Sequence, residues 1–272
     1  MTRIAVIGGG RIGEALIAGL LESGWMTKDL VIVETHRERA DLIVDRFGIR
    51  VTDDVADAVV GADLLVIAVK PGDVDGVLTA LGKAELSSDR DQVLVSLAAG
   101  VSTSRLESKL PAGFPVVRGM SNTPMLVGQG MNVIAPGRYA REQHLELVTE
   151  VLGAVGKVTA VVETQMDAVT AVSGSGPAYF FLVAEAMADA GVGLGLPRDV
   201  ATELVVQTMI GSAALLDSSG QSAADLRAAV TSPAGTTAAA LRELERGGLR
   251  SLFLEALHAA KQRSVEQGNS AE

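Results

Sequence analysis

Residues 226–245, LRAAVTSPAGTTAAALRELE, place Ser232, Pro233, Gly235, Thr236 and Thr237 just ahead of an Ala-rich helical run. Pro233 suits a first helical turn, and Ser232 suits the cap before it. Such a helix start carries unpaired backbone N–H groups and small hydroxyls, and the helix dipole adds partial positive charge. Together these features bind anions. The same composition also fits an ordinary capped helix, so these residues alone leave the anion unnamed.

A second chemical signal opens the chain. Gly8-Gly9-Gly10-Arg11-Ile12-Gly13 lies between the apolar run RIAVIG and the helical pattern EALIAGLLESG. This is G-x-G-x-x-G between a strand and a helix, the context in which it binds a dinucleotide. Gly8 permits the tight turn, Gly10 lets a pyrophosphate reach the backbone, and Gly13 lets helix and strand pack closely. The next apolar run, Leu30–Val33, ends at Glu34. An acidic residue there accepts hydrogen bonds from the ribose of NAD. Thr35, His36, Arg37 and Arg39 follow directly, and arginine in that loop holds the 2′-phosphate of NADP. Both cofactors stay open on these residues. Further on, Ala68-Val69-Lys70-Pro71 ends a strand and sets Lys70 where the nicotinamide half of a dinucleotide would lie. Asn122 and Thr123 stand just past another strand.

Apolar runs at 3–8, 30–33, 49–51, 64–69, 93–97, 116–120, 131–135 and 157–162 read as strands. Helical patterns near 36–47, 54–61, 73–84 and 141–154 separate several of them. Alternating strand and helix gives a parallel sheet covered on both faces. After Val162 only helices are expected, at 164–173, 177–192, 197–216, 222–230, 234–246 and 248–267, with a frayed tail suggested by Gly268, Asn269 and Ser270. The predicted fold class is α/β followed by all-α: a Rossmann-type dinucleotide-binding domain over 1–162 and a helical domain over 163–272. The helices 177–192 and 197–216 are apolar over much of their circumference, which fits burial within the chain or in a dimer.

Composition narrows the function. The formal net charge of −10 supplies no basic surface, which argues against nucleic acid. With no cysteine there is no thiol nucleophile, disulfide or zinc–thiolate site. His36, His144 and His258 lack metal-ligand spacing and read as surface residues, so no metal is expected. The start MTRIAVIGGG has no signal-peptide pattern, and a long uncharged run, between Asp167 and Glu185, is broken by Gly174, Gly176 and Pro177. A soluble, cytoplasmic protein without a membrane partner is expected.

Five motifs in order resemble the pyrroline-5-carboxylate reductase family: VIGGGRIGEAL at 6–16, AVKP at 68–71, SNTP at 121–124, AVSGSGPAY at 171–179 and AAVTSPAGTTAAALRELERGG at 228–248. The resemblance implies hydride transfer from NAD(P)H to C5 of 1-pyrroline-5-carboxylate, giving L-proline. It implies a helical dimerisation domain, a homodimer, and larger rings such as decamers. By the same resemblance the dinucleotide loop falls on Gly8, Gly10, Arg11, Ile12 and Gly13, and the nicotinamide contacts on Ala68, Val69, Lys70 and Pro71 with Asn122 nearby. The substrate carboxylate falls on Ser232, Gly235, Thr236 and Thr237, and Ser232 and Thr237 become the catalytic candidates. The chain departs from the family at Ala234, often glycine, at Val55, often asparagine, and at Glu34-Thr35-His36-Arg37. NADP(H) is slightly favoured, with NAD(H) open. A β-hydroxyacid-type dehydrogenase would need a lysine on the first long helix of the second domain, and residues 164–192 have none. A reductase of another imine or of a deazaflavin, and a dinucleotide-sensing binding protein, are the other readings.

Overall fold

The structure, a computed structural model, describes residues 2–84, 86 and 91–270. The first compact unit comprises residues 1–175 and 259–272, and the second comprises Gly176–His258. The sheet begins with β1 (Ile4–Ile7), α1 (Arg11–Glu22), β2 (Leu30–Val33), α2 (Arg37–Phe47), β3 (Arg50–Thr52) and α3 (Val55–Val59). It continues through β4 (Leu64–Ile67), α4 (Val74–Lys83), β5 (Val93–Ser96), α5 (Thr103–Lys109) and β6 (Val116–Met120). It closes with β7 (Gly130–Pro136), α6 (Glu142–Gly153) and β8 (Gly156–Ala160), followed by α7 (Met166–Val169). The strand order is β3-β2-β1-β4-β5-β6-β7-β8. The order reverses beside β1, which makes the carboxyl ends of β1 and β4 the rim of the binding crevice.

Successive side chains on β1 serve opposite faces. Ile4 and Val6 join Leu16, Ile17 and Leu20 of α1 and Val148, Val151 and Leu152 of α6 in one core. Ala5 and Ile7 join Val59 of α3, Leu78 and Leu81 of α4 and Leu106 of α5 in the other. Because both faces are covered, β1, β4 and β5 are buried at every position, which explains their unbroken apolar runs.

Three features of this unit differ from the sequence reading. β7 runs antiparallel to β6, with Val117 opposite Pro136 and Met120 opposite Val133, because a short 3-10 turn over Thr123–Val127 reverses the chain. α5, capped by the Ser102 hydroxyl on the Arg105 N–H, carries the β5–β6 crossover, where no helix was anticipated. His144, expected at the surface, is 2% exposed. Its Nδ1 accepts the Arg141 N–H at 2.9 Å and its Nε2 lies 2.8 Å from Asp91 Oδ1, so it closes the start of α6. Asp91 precedes β5, at the strand end opposite the crevice.

Arg118 on β6 is another buried polar side chain. Its Nη1 lies 3.6 Å from Glu163 and its Nη2 3.5 Å from Asp167. Glu163 accepts the Thr103 N–H at 2.7 Å, and Asp167 accepts the Ser264 hydroxyl at 2.8 Å. Past α7 the helix widens into a π turn, Thr170–Gly174, with Ser175 N–H donating to Thr170 C=O at 2.8 Å. Gly174 leaves room there for Met120: a Cβ would lie 2.3 Å from Met120 Cε, so that side chain would have to move.

The second unit contains α8 (Gly176–Gly193), α9 (Arg198–Ser218), α10 (Ala223–Ala229), α11 (Thr236–Arg246) and the start of α12 (Leu249–Ser270). Gly268, Asn269 and Ser270, expected to fray, continue α12. α8 and α9 are apolar, yet Phe180, Phe181, Leu182, Leu204 and Ile210 are exposed in the single chain. By length and composition alone α9 is long and apolar enough to cross a bilayer. Four charged residues on it (Arg198, Asp199, Glu203, Asp217) and its apolar exposed face equally fit a helix that packs on another protein surface.

Candidate functional site

The glycine loop is shaped by contacts that tolerate no side chain. Gly8 has φ +115°, and a Cβ on it would lie 2.9 Å from the Ala68 carbonyl carbon and oxygen. Gly8 N–H donates to Val33 C=O at 3.0 Å, tying the end of β1 to the end of β2. A Cβ on Gly13 would lie 2.0 Å from Gly8 C=O, so α1 rests directly on the loop. Gly10 differs: a Cβ there meets nothing within 4 Å. Packing does not demand glycine at 10, and the open space beside it suits a ligand approaching the backbone. Gly10 is also the N-cap of α1, with no side chain capping the helix, so the first N–H groups remain available to a pyrophosphate. A dinucleotide fits this cradle.

A cleft of about 650 Å³ opens from the loop. Of the expected cofactor residues, Gly8, Gly10, Glu34, Thr35, His36, Ala68, Val69 and Lys70 line it, whereas Arg11, Ile12, Gly13, Arg37, Pro71 and Asn122 do not. Arg11, Ile12 and Gly13 belong to the first turn of α1, and the exposed Pro71 starts the 3-10 turn that follows Lys70. Of the two arginines named after β2, Arg39 lines the cleft, two residues further into α2 than Arg37. The sequence reading also missed Asp53, Asp73, Gly76 and Val77 on the wall. Asp53 was findable, because it follows β3 and the carboxyl ends of all parallel strands share one rim.

Glu34 is 6% exposed, and its backbone N–H donates to Thr52 C=O. Its Oε1 accepts the His36 N–H at 2.7 Å and lies 3.0 Å from His36 Nδ1, while Oε2 accepts from Arg39 Nη1 at 3.0 Å. Burial pushes the carboxyl up, but the His36 N–H, the His36 ring and Arg39 outweigh it and hold the group below the usual carboxylate range. Glu34 is therefore ionised at neutral pH and already paired.

Asn122 has a scaffolding position. Its Nδ2 donates to Ser173 C=O at 3.0 Å and its Oδ1 accepts the Met131 N–H at 2.8 Å, joining the π turn to the start of β7.

In the second unit the 232–237 loop has a different shape from the one anticipated. The helix begins at Thr236, with Gly235 as its N-cap, and not at 234. Ser232 caps nothing. Its carbonyl accepts the Gly235 N–H at 3.0 Å, closing a turn over Pro233 and Ala234. That turn holds Ala234 at φ +57°, the one positive φ among the described non-glycine residues. Gly235 N–H is thus engaged, and the first helical bond is Ala239 N–H to Gly235 C=O at 3.1 Å. The N–H groups of Thr236, Thr237 and Ala238 stay unpaired among the described residues, as do the hydroxyls of Ser232, Thr236 and Thr237. Three N–H donors and three hydroxyls are thus left around one helix start, the kind of place where anions bind.

Comparison with known proteins places these two sites in one family. The family profile described as "Pyrroline-5-carboxylate reductase dimerisation" matches residues 163–267. The profile described as "NADP oxidoreductase coenzyme F420-dependent" matches residues 3–100. The profile boundary at 163 falls where strand alternation ends, while spatial compactness breaks later, after Ser175. The pyrroline-5-carboxylate reductase of Mycobacterium leprae is 54% identical, covering 98% of this chain and 97% of its own. The solved pyrroline-5-carboxylate reductase of Coxiella burnetii superposes with a TM-score of 0.93 at 35% identity, covering 98% of each chain. That of Plasmodium falciparum, solved with NADP bound, superposes at 0.86 with 28% identity and the same coverage. A nicotinamide-dinucleotide loop at one end and a dimerisation module at the other, matched over the full length by such relatives, mean that this chain belongs to the pyrroline-5-carboxylate reductase family.

Proposed function

We propose that the chain reduces 1-pyrroline-5-carboxylate to L-proline, with NADPH preferred over NADH, and that it works as a homodimer able to assemble into larger rings such as decamers. The observation that carries the activity is the extent of the likeness, 54% identity over 98% of the chain, a span that includes both the glycine loop and the α11 start. A protein that only sensed a dinucleotide would have no need of the second site. Preference for NADPH is supported by Arg39 on the cleft wall and by the pairing of Glu34, the residue that would otherwise favour NADH.

A bound reduced nicotinamide supplies the hydride. The chain's own residues hold and orient. Gly8, Gly10 and the α1 N-terminus hold the pyrophosphate, and Ala68, Val69 and Lys70 set the position of the nicotinamide half. The N–H groups of Thr236–Ala238 with the Ser232 and Thr236 hydroxyls grip the substrate carboxylate. The Thr237 hydroxyl hydrogen-bonds the ring nitrogen, the atom that must be protonated for the imine carbon to accept hydride readily. Orientation of two bound molecules is then the main source of rate. The test is oxidation of NADPH and of NADH, each with pyrroline carboxylate. Turnover with NADPH at the higher kcat/KM is expected. No turnover with either cofactor overturns the activity, and a higher kcat/KM with NADH overturns the preference.

A further inference from the structure

Glu34 stands where an acidic residue normally takes the ribose hydroxyls of NADH. Simple charge repulsion would also make it an opponent of a 2′-phosphate. The contacts around it indicate the reverse. Its side chain is 4% exposed. A carboxylate offers about four lone-pair sites, and here the His36 N–H, the His36 ring and Arg39 occupy three of them. Gly9 provides the room, since a Cβ there would lie 2.8 Å from Glu34 Oε2. To accept both ribose hydroxyls Glu34 must release at least one donor, and a buried carboxylate gives up a partner at greater cost than an exposed one. Arg39, by contrast, is 45% exposed and lines the cleft together with His36 and Thr35.

We infer that Glu34 is a positioning residue for NADPH: it holds Arg39 and His36 on the cleft wall, where they meet a 2′-phosphate, and because it is so engaged it does not serve the ribose of NADH. This rests on the NADPH reading above. It gives the acid at the end of β2 a sign opposite to the usual one. Asp53, the other acid at this end of the wall, has no comparable pairing with Arg39 or His36, so the effect belongs to Glu34.

The two signs separate in a binding experiment that needs no turnover. Calorimetry on the full chain measures adenosine 2′,5′-bisphosphate and 5′-AMP against wild type, Glu34→Gln, Arg39→Ala and the double variant. In Glu34→Gln the bisphosphate is expected to weaken about tenfold, the scale of one hydrogen bond to a charged group, while 5′-AMP stays within about twofold. The double variant is expected to lose less than the sum of the two single losses, because Glu34 acts in part through Arg39. Unchanged or tighter bisphosphate binding in Glu34→Gln overturns the inference. So does an equal loss for 5′-AMP, or additive losses in the double variant. Should Glu34→Gln fail to fold, Glu34→Asp takes its place: it keeps the charge but shortens the reach to Arg39, and full bisphosphate affinity in it overturns the proposal. Wild type that binds the bisphosphate no more tightly than 5′-AMP overturns the NADPH preference together with this inference, whereas a failure confined to the variants overturns this inference alone.

Discussion

Ala234 carries a backbone conformation that L-residues avoid, at a cost of roughly 1–2 kcal/mol. Ala234→Gly is expected to raise stability by about 1 kcal/mol, seen as a higher urea midpoint at unchanged slope; a lower midpoint would show that the methyl group packs usefully. Thr237 stands one helical position beyond Thr236, with its hydroxyl unpaired. Thr237→Ala is expected to lower kcat about tenfold, the equivalent of one hydrogen bond made in the transition state, with little change in KM for NADPH. Wild-type steady-state constants in that variant would remove Thr237 from the site. At this scale the sequence was informative about residue types and less so about which member of a cluster does what. It marked Ser232 as a cap, but Gly235 fills that place because the Ser232 carbonyl closes the preceding turn. It named Arg37 and Arg39 together, and helical rotation brings Arg39 of the two to the cleft wall.

Among elements, the contact between α1 and β1 distinguishes two glycines of one motif. Gly13→Ala places a Cβ 2.0 Å from Gly8 C=O, forcing the helix off the strand. It is expected to cost about 3 kcal/mol or more, at the upper end of overpacking effects, and to lower the melting temperature sharply. Gly10→Ala meets open space at φ −78° and is expected to melt within a few degrees of wild type while losing dinucleotide affinity. Circular dichroism melts beside cofactor titration decide this; equal melting losses in the two variants would contradict the separate roles. The order of strands and most helices was legible, because buried parallel strands are continuous apolar runs and the glycines mark their ends. The direction of β7 was not, because an apolar run reads alike in both senses and only the tight reversal at Thr123–Val127 determines it. α5 was missed because a seven-residue helix is too short to show a period.

For the whole molecule, the exposed apolar side chains of α8 and α9 match the dimerisation profile over 163–267. Large apolar side chains left exposed in this way on a lone chain fit an association surface. Ile210→Glu, at a position 59% exposed in the single chain, is expected to shift the dimer toward monomer by tenfold or more in dissociation constant if it places an unpaired charge in an apolar interface. Light scattering on a size-exclusion column reads this, and an unchanged mass down to low concentration would place the interface elsewhere. The ends of the chain add a property in time. Asp167, beside buried Arg118, receives the Ser264 hydroxyl from 97 residues further along, after the whole second unit has been made. At a synthesis rate of about 5–20 residues per second, that partner arrives roughly 5–20 s after Asp167 itself. Until then Asp167 on the nascent chain can meet Arg118 but not its hydroxyl donor, so the charge cluster on β6 and α7 is completed only by the last helix to be made.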